Sequence, residues 1–181
     1  RDEGLQEFLK NNFMSAPLRE AEKKYRKGKK VENEQESKDA HHDSNVLIIN
    51  KEDDITESKK EIINKETGET EITNKEGTTK VILKIAKPQD YKDLRIFPVE
   101  SIEDGVLWEP ILAEGKTAVN INTAHRFYDR VYVPNHNESV TIQGLDALLW
   151  SLAEAEYSTL NESTQRQLES LRYEVSKILR E

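Results

Sequence analysis

Cysteine is absent from the 181 residues, so no disulfide staples the chain and no thiolate is available to hold a metal. Aromatic residues are absent from a long internal tract: no Phe, Trp or Tyr occurs between Tyr25 and Tyr91. Glycine is scarce, with seven residues and no cluster, so no Walker-type loop, Gly-x-Gly-x-x-Gly, Gly-x-Ser-x-Gly or His-Glu-x-x-His motif occurs. No apolar run approaches the roughly 18–20 residues of a membrane span, and no signal-peptide core is present. Positive charge is in the minority: the net charge of −8 argues against a mainly electrostatic grip on nucleic acid or an anionic membrane by the chain as a whole. These absences fit a reducing, cytoplasmic setting with no membrane partner. They also leave the chain without any catalytic signature.

What is present is unevenly distributed. Hydrophobic residues make up 35% and charged residues 34%, and the deficit of core formers coincides with Gly28 to Lys80, dense in Lys, Glu, Asp, Asn and Thr. Such a tract lacks the apolar area to offset its ordering entropy. The bulky anchors Trp108, Phe127, Tyr128, Tyr132, Trp150 and Tyr157 follow it, and large aromatics bury the most area. Within the tract, Val46-Leu47-Ile48-Ile49 reads as a short strand. The loose repeat Ile49-Asn50-Lys51-Glu52, Ile63-Asn64-Lys65-Glu66 and Thr73-Asn74-Lys75-Glu76 suggests ragged hairpins at best.

Helical spacing of Leu5, Phe8, Leu9 and Phe13 predicts an N-terminal helical segment, which Pro17 interrupts and Gly28 ends. Thr79 to Ile85 reads as a strand. Val106–Leu112 and Thr117–Asn122, joined by Ala113-Glu114-Gly115-Lys116, read as a hairpin, with Val119 and Ile121 on one face and Ala118, Asn120 and Asn122 on the other. A short helix over 124–133, stopped at Pro134, should follow. Leu145, Leu148, Leu149, Leu152 and Ala153 mark an amphipathic helix over 140–158. Leu168, Leu171, Val175, Ile178 and Leu179 mark another, capped by Asn161 or Ser163. The patterns predict an α+β fold: a small antiparallel sheet built on a hairpin, a C-terminal antiparallel helix pair and an N-terminal helical segment. The boundaries are 1–28 helical, 29–78 a charged flexible linker or insertion, and 79–181 the packed domain. With no initiator Met and a charged end inside a helical pattern, the chain reads as a fragment of a longer protein.

Five features are candidates for chemistry or contact. Lys23, Lys24 and Lys27, with Arg26, Lys29 and Lys30, form the one dense basic cluster, either a phosphate or DNA contact or a solvated helix end with cations at its negative pole. Asn122, His125 and Arg126 gather where a strand enters a helix. A general base and a phosphate clamp are conceivable there, as is a plain capping and packing role. His41-His42-Asp43 has no further ligand at suitable spacing and reads as surface histidines. Asp146 is expected on the solvent face of its helix or near its N-terminus. Leu149 and Leu171 lie in stripes that serve as core or as a subunit interface.

Val106-Leu107-Trp108-Glu109-Pro110, then Asn120-Ile121-Asn122-Thr123-Ala124-His125-Arg126-Phe127-Tyr128 and a Leu- and Ala-rich helix, resemble a known pattern. It is the part downstream of the nucleotide-binding domain in large bacterial and phage ATPases of the gyrase B, Hsp90, histidine kinase and MutL superfamily. Arg126 stands where that pattern usually carries Pro. The resemblance, over about residues 80–181, implies a non-catalytic, transducer-like or dimerisation region that couples nucleotide state to a partner, DNA included. ATP and magnesium would sit upstream, with no cofactor in this chain, and Lys116 at the hairpin tip would be the position to reach a phosphate. The alternative is a free-standing protein–protein interaction module, a homo-oligomer or a partner-binding unit, that uses the helical hairpin. A third reading is a hydrolase built on His125.

Overall fold

The computed structural model describes residues 39–86 and 94–181. The expected N-terminal helical segment and the basic cluster lie outside the described residues.

The expected hairpin forms as β5 (Trp108–Ala113) and β6 (Lys116–Asn122), antiparallel from Trp108 opposite Ile121 to Ala113 opposite Lys116. Glu114 and Gly115, both at positive φ (54° and 82°), make the two-residue turn, which suits the strand twist. β4 (Ile96–Val99) joins β6 in parallel, so the sheet runs β4-β6-β5. Pro98 is tolerated there because, among the described residues, β4 is an edge strand. The alternation along β6 is as the sequence indicates. Val119 and Ile121 join the main core, whereas Ala118 packs with Phe97, Ile111 and Ala113 on the opposite face.

The two long helices form α2 (Ser139–Ser158) and α3 (Glu162–Arg180). Asn161 caps α3, its Oδ1 accepting from the Thr164 N–H at 3.0 Å. α2 lies across the sheet with Ile142, Leu149, Trp150 and Ala153 buried against Trp108, Val119 and Ile121. The Trp150 indole N–H donates to the Thr117 carbonyl at 2.9 Å, so its one polar atom is satisfied inside the core. The fold is α+β, with a hairpin-based sheet and a C-terminal helix pair as expected.

The segment after β6 departs from a simple helix. The Val133 N–H reaches back five residues to the Tyr128 carbonyl, a wide turn over Tyr128–Tyr132, and Val133–Asn135 then tightens with Pro134 at its start. Pro134 therefore sits inside the helical run, near the start of its last turn, where a missing N–H costs little. The wide turn stacks the Tyr128 and Tyr132 rings, 4.8 Å apart and nearly parallel at 5°.

The tract expected as a charged linker or insertion differs most. Its described part holds α1 (His42–Ile55), β1 (Lys59–Asn64) and β2 (Glu69–Asn74), and β3 (Gly77–Ile82) runs out of it. Val46 to Ile49 is helix, not strand. The buried face of α1 is Ser44, Asn45, Ile48 and Glu52; the helical period is carried by polar residues and escapes a hydrophobic pattern. Each polar group on that face except the Ser44 hydroxyl has a partner among the described residues. Asn45 Oδ1 accepts from the backbone N–H of Arg95 (2.7 Å) and Ile96 (2.9 Å) at the entry to β4, and Glu52 takes both arms of Arg95 at 3.1 and 3.0 Å.

β1, β2 and β3 form a second, antiparallel sheet in that order. Its turns are the Asn-Lys-Glu repeats. Asn64 Oδ1 accepts from the Glu66 N–H at 2.9 Å and Asn74 Oδ1 from the Glu76 N–H at 2.8 Å, the side-chain turn chemistry of Asn. Gly68, at φ +78°, closes the first turn where an added Cβ would lie 2.2 Å from the Leu83 carbonyl oxygen. Ile72, Leu83, Leu112 and Tyr157 anchor this sheet to the rest. Lys60, nearly buried, reaches Glu154 of α2 at 2.7 and 3.0 Å. Burial pulls its pKa down, partly offset by the Glu154 carboxylate.

Candidate functional site

The strand-to-helix step at 120–128 is arranged for structure. Asn122 bridges two chain directions: its amide donates to the Val106 carbonyl at 2.9 Å and its oxygen accepts from the Ala124 N–H at 3.0 Å. His125 is buried, with Nε2 at 3.0 Å from the Ser176 carbonyl and Nδ1 at 3.2 Å from the Phe127 N–H. A carbonyl only accepts and an N–H only donates, so the ring carries its proton on Nε2 and spends its lone pair on Phe127. Burial holds its pKa below the ordinary histidine value; the Ser176 bond opposes this and Arg180 adds to it. Both nitrogens are occupied by backbone, which removes the proton-accepting atom that the hydrolase reading needs. Arg126 is exposed and takes no part in this arrangement of bonds among the described residues.

Lys116 sits at the start of β6 beside α1. Its ammonium lies 2.9 Å from Asp53 and 3.6 Å from Glu52, and these carboxylates raise its pKa. Two nearby negative charges make this an unfavourable place to receive a phosphate. Leu149 is buried in the main core, whereas Leu171 is exposed on α3.

The polar cluster that the sequence did not reveal is centred on His41. This residue is fully buried, not a surface histidine: Nδ1 is 2.6 Å from Asp146 Oδ2 and Nε2 is 3.2 Å from the Tyr128 hydroxyl. Tyr132 donates its hydroxyl proton to the other carboxylate oxygen at 3.1 Å. Asp146 thus lies on the buried face of α2, because His41, 105 positions earlier, and Tyr132 supply its partners. Burial, with the adjacent Asp146 charge, pushes the Tyr132 pKa up, which keeps it a donor. An aspartate–histidine–hydroxyl chain is the outline of a proton relay. Here the terminal hydroxyl belongs to a tyrosine that is 3% exposed, so no substrate atom can reach it. The cluster instead ties α1, the wide turn and α2 together.

A cleft with charged walls, about 940 Å³, lies between β3, the end of α2 and the side of α3 that carries Gln165, Glu169 and Arg172. Lys84 and Glu109 (2.6 Å) pair at its margin, as do Arg172 and Glu156 (3.6 Å). Burial raises the Glu156 pKa, against the pull of Arg172. Among the described residues no group of three His, Cys, Asp or Glu side chains is placed to hold a metal. No described helix is long and apolar enough to cross a membrane. No protein-family model matches the chain, and neither the curated proteins nor the solved structures provide a match.

Proposed function

We propose that the chain is a non-catalytic interaction module that pairs with a second copy of itself through the outer face of its C-terminal helix pair. One observation carries this reading. The helical stripe of α3 is split: Leu168, Val175 and Leu179 are half-buried, whereas Leu171 and Ile178 are 52% and 68% exposed. Leu171 and Ile178 belong to a wholly exposed row, Thr164, Gln167, Leu171, Glu174 and Ile178, spaced alternately by three and four. α2 has a matching exposed row, Thr141, Gly144, Leu148, Ser151 and Ala155. Glu174 is the one charged residue among these ten, in a chain in which 34% of residues are charged. A solvated face would carry charge; depletion of charge is the mark of a contact face.

The choice of a second copy follows from the shapes of the rows. One row is small at Gly144, Ser151 and Ala155, and the other is bulky at Leu171 and Ile178, so a two-fold axis sets the large residues of each copy into the small row of the other. An added Cβ at Gly144 meets nothing. A glycine in an exposed helix interior costs about 1 kcal/mol relative to alanine, and close approach of a neighbouring helix gives it a use. Helices of 19 and 20 residues span about 30 Å, enough for an interface on the order of 800 Å² per partner.

Sedimentation equilibrium tests this directly. The wild type should dimerise, and Leu171→Glu and Leu148→Glu should be folded monomers. A wild type that stays monomeric at every attainable concentration overturns the reading. Placement of the module in a multidomain ATPase rests on the motif at 106–128, and there Lys116 would have to leave Asp53 and Glu52 to serve a phosphate.

A further inference from the structure

The second sheet has two edges, and they are treated differently. β1 is interrupted by a register shift between Ile62 and Asn64 and turns Lys60 inward. Bulges and inward charges are how proteins discourage another strand from adding to an edge. β3 has neither: its six residues run in unbroken register with β2, from Gly77 opposite Asn74 to Ile82 opposite Glu69. Its one edge lysine, Lys80, is opposite Glu71 on the ladder, which matches its charge.

Ladder alternation turns the backbone groups of Gly77, Thr79 and Val81 toward β2 and those of Thr78, Lys80 and Ile82 away from it. Further along the same edge the outward groups are satisfied. The Lys84 N–H donates to the Tyr157 hydroxyl at 3.2 Å, the Lys84 carbonyl accepts from Leu112, and the Ala86 N–H donates back to the Leu112 carbonyl. There the strand touches β5, at the bridge between Ile85 and Leu112. Thr78, Lys80 and Ile82 find no backbone partner on that side among the described residues. The cleft runs along the strand from Thr79 to Lys84, so Lys80 and Ile82 line it, together with Val106, Glu109 and Pro110. Ile82, which lines it, is 78% exposed.

The charge of the cleft selects the occupant. Seven carboxylates and four cations line it. Lys84, Arg166 and Arg172 are already paired with Glu109, Glu162 and Glu156. Glu69 and Glu103 have no cationic partner among the described residues, and Asp104 accepts only a hydroxyl, from Tyr173 at 2.9 Å. The geometry points to strand addition: an extended segment of a partner protein, with lysine or arginine at alternate positions, pairs with the free edge of β3 and sets its cations against Glu69, Glu103 and Asp104. Backbone pairing supplies the grip and alternate side chains the selectivity. The cleft volume falls in the range of ligand sites, about 300–1,000 Å³. This face lies on the flank of α3 opposite Leu171 and Ile178, so the two surfaces are separable.

The test uses a fluorescent heptapeptide alternating Lys and Val, its Glu-for-Lys counterpart, and a version N-methylated at every second amide. The Lys peptide should bind at least about tenfold tighter than either of the others, the equivalent of about 1.4 kcal/mol. Lys80→Pro removes one outward N–H and leaves the β2 ladder donors Thr79 and Val81 in place, so it should fold, retain the dimer and lose the peptide at least about tenfold. If the variant fails to fold, the N-methylated peptide asks the same question from the ligand side. Absence of binding overturns the proposal, as does equal binding of the Glu or N-methylated peptide. A Lys80→Pro protein that folds but no longer dimerises shows β3 pairing with its own copy and overturns it too. A wild type that binds the Lys peptide as a monomer removes the dimer reading and leaves this one standing.

Discussion

The two sheets have three strands each and almost opposite economies. In β4-β6-β5, nearly every residue of β5 and β6 is buried, and α2 closes one face with Trp150. In β1-β2-β3, the buried side chains are few: Lys60, Thr70 and Ile72. The first sheet is held by area removed from water. The second is held by turns, by a small cluster around Ile72 and by the Lys60–Glu154 pair. A charged sequence can therefore form strands when its turns are well specified and a few residues reach a core built elsewhere.

The contrast can be broken in graded steps. Trp150→Ala should cost about 3–5 kcal/mol and lower the urea midpoint of the whole domain, and a loss confined to the second sheet would contradict it. Asp146→Ala leaves His41 and Tyr132 buried without their acceptor; breaking a buried pair of this kind costs about 3–5 kcal/mol, read from the same denaturation curve. Gly68→Ala forces a positive φ and a contact with the Leu83 carbonyl, a strain of about 1–3 kcal/mol. Hydrogen exchange should then speed up in β1–β3 while the amides of β6 keep their protection.

Acidification reaches the first sheet through His125. Its pKa is depressed in the fold, so the unfolded state binds the extra proton and stability rises with pH. The contribution is intact above about pH 6.5, the ordinary histidine value, and is lost as pH falls through it toward the depressed value. His125→Gln should show a flatter dependence of urea midpoint on pH between 7.5 and 5, and an unchanged slope would remove His125 as its source. The smallest effect is expected at the exposed Lys75–Glu57 pair of the second sheet, where Lys75→Ala should change stability by no more than about 0.5 kcal/mol.

The hairpin and the helix pair were legible because their buried positions are apolar, and period follows apolarity. The Asn161 cap and the core roles of Trp108 and Trp150 were legible for the same local reasons. α1 was not, since three of its four buried positions are Ser44, Asn45 and Glu52. Asn45 is satisfied by the backbone of Arg95 and Ile96, and Glu52 by the Arg95 side chain, contacts that no local pattern announces. His41 and Asp146 lie inside, not on the surface, for the same cause: each is held there by the other, with Tyr128 and Tyr132 completing their bonds. The Asn-Lys-Glu repeat did carry a usable signal, as two of its three copies are turns and the first lies in α1.

The link between positions 41 and 146 also constrains how this sequence can drift. A single change at either end strands an ionisable group in the interior, so each alone is selected against. A paired replacement by apolar residues of similar volume can be neutral or even stabilising. The route from one viable sequence to another therefore crosses both positions together, and variants that survive substitution at one should be found already altered at the other.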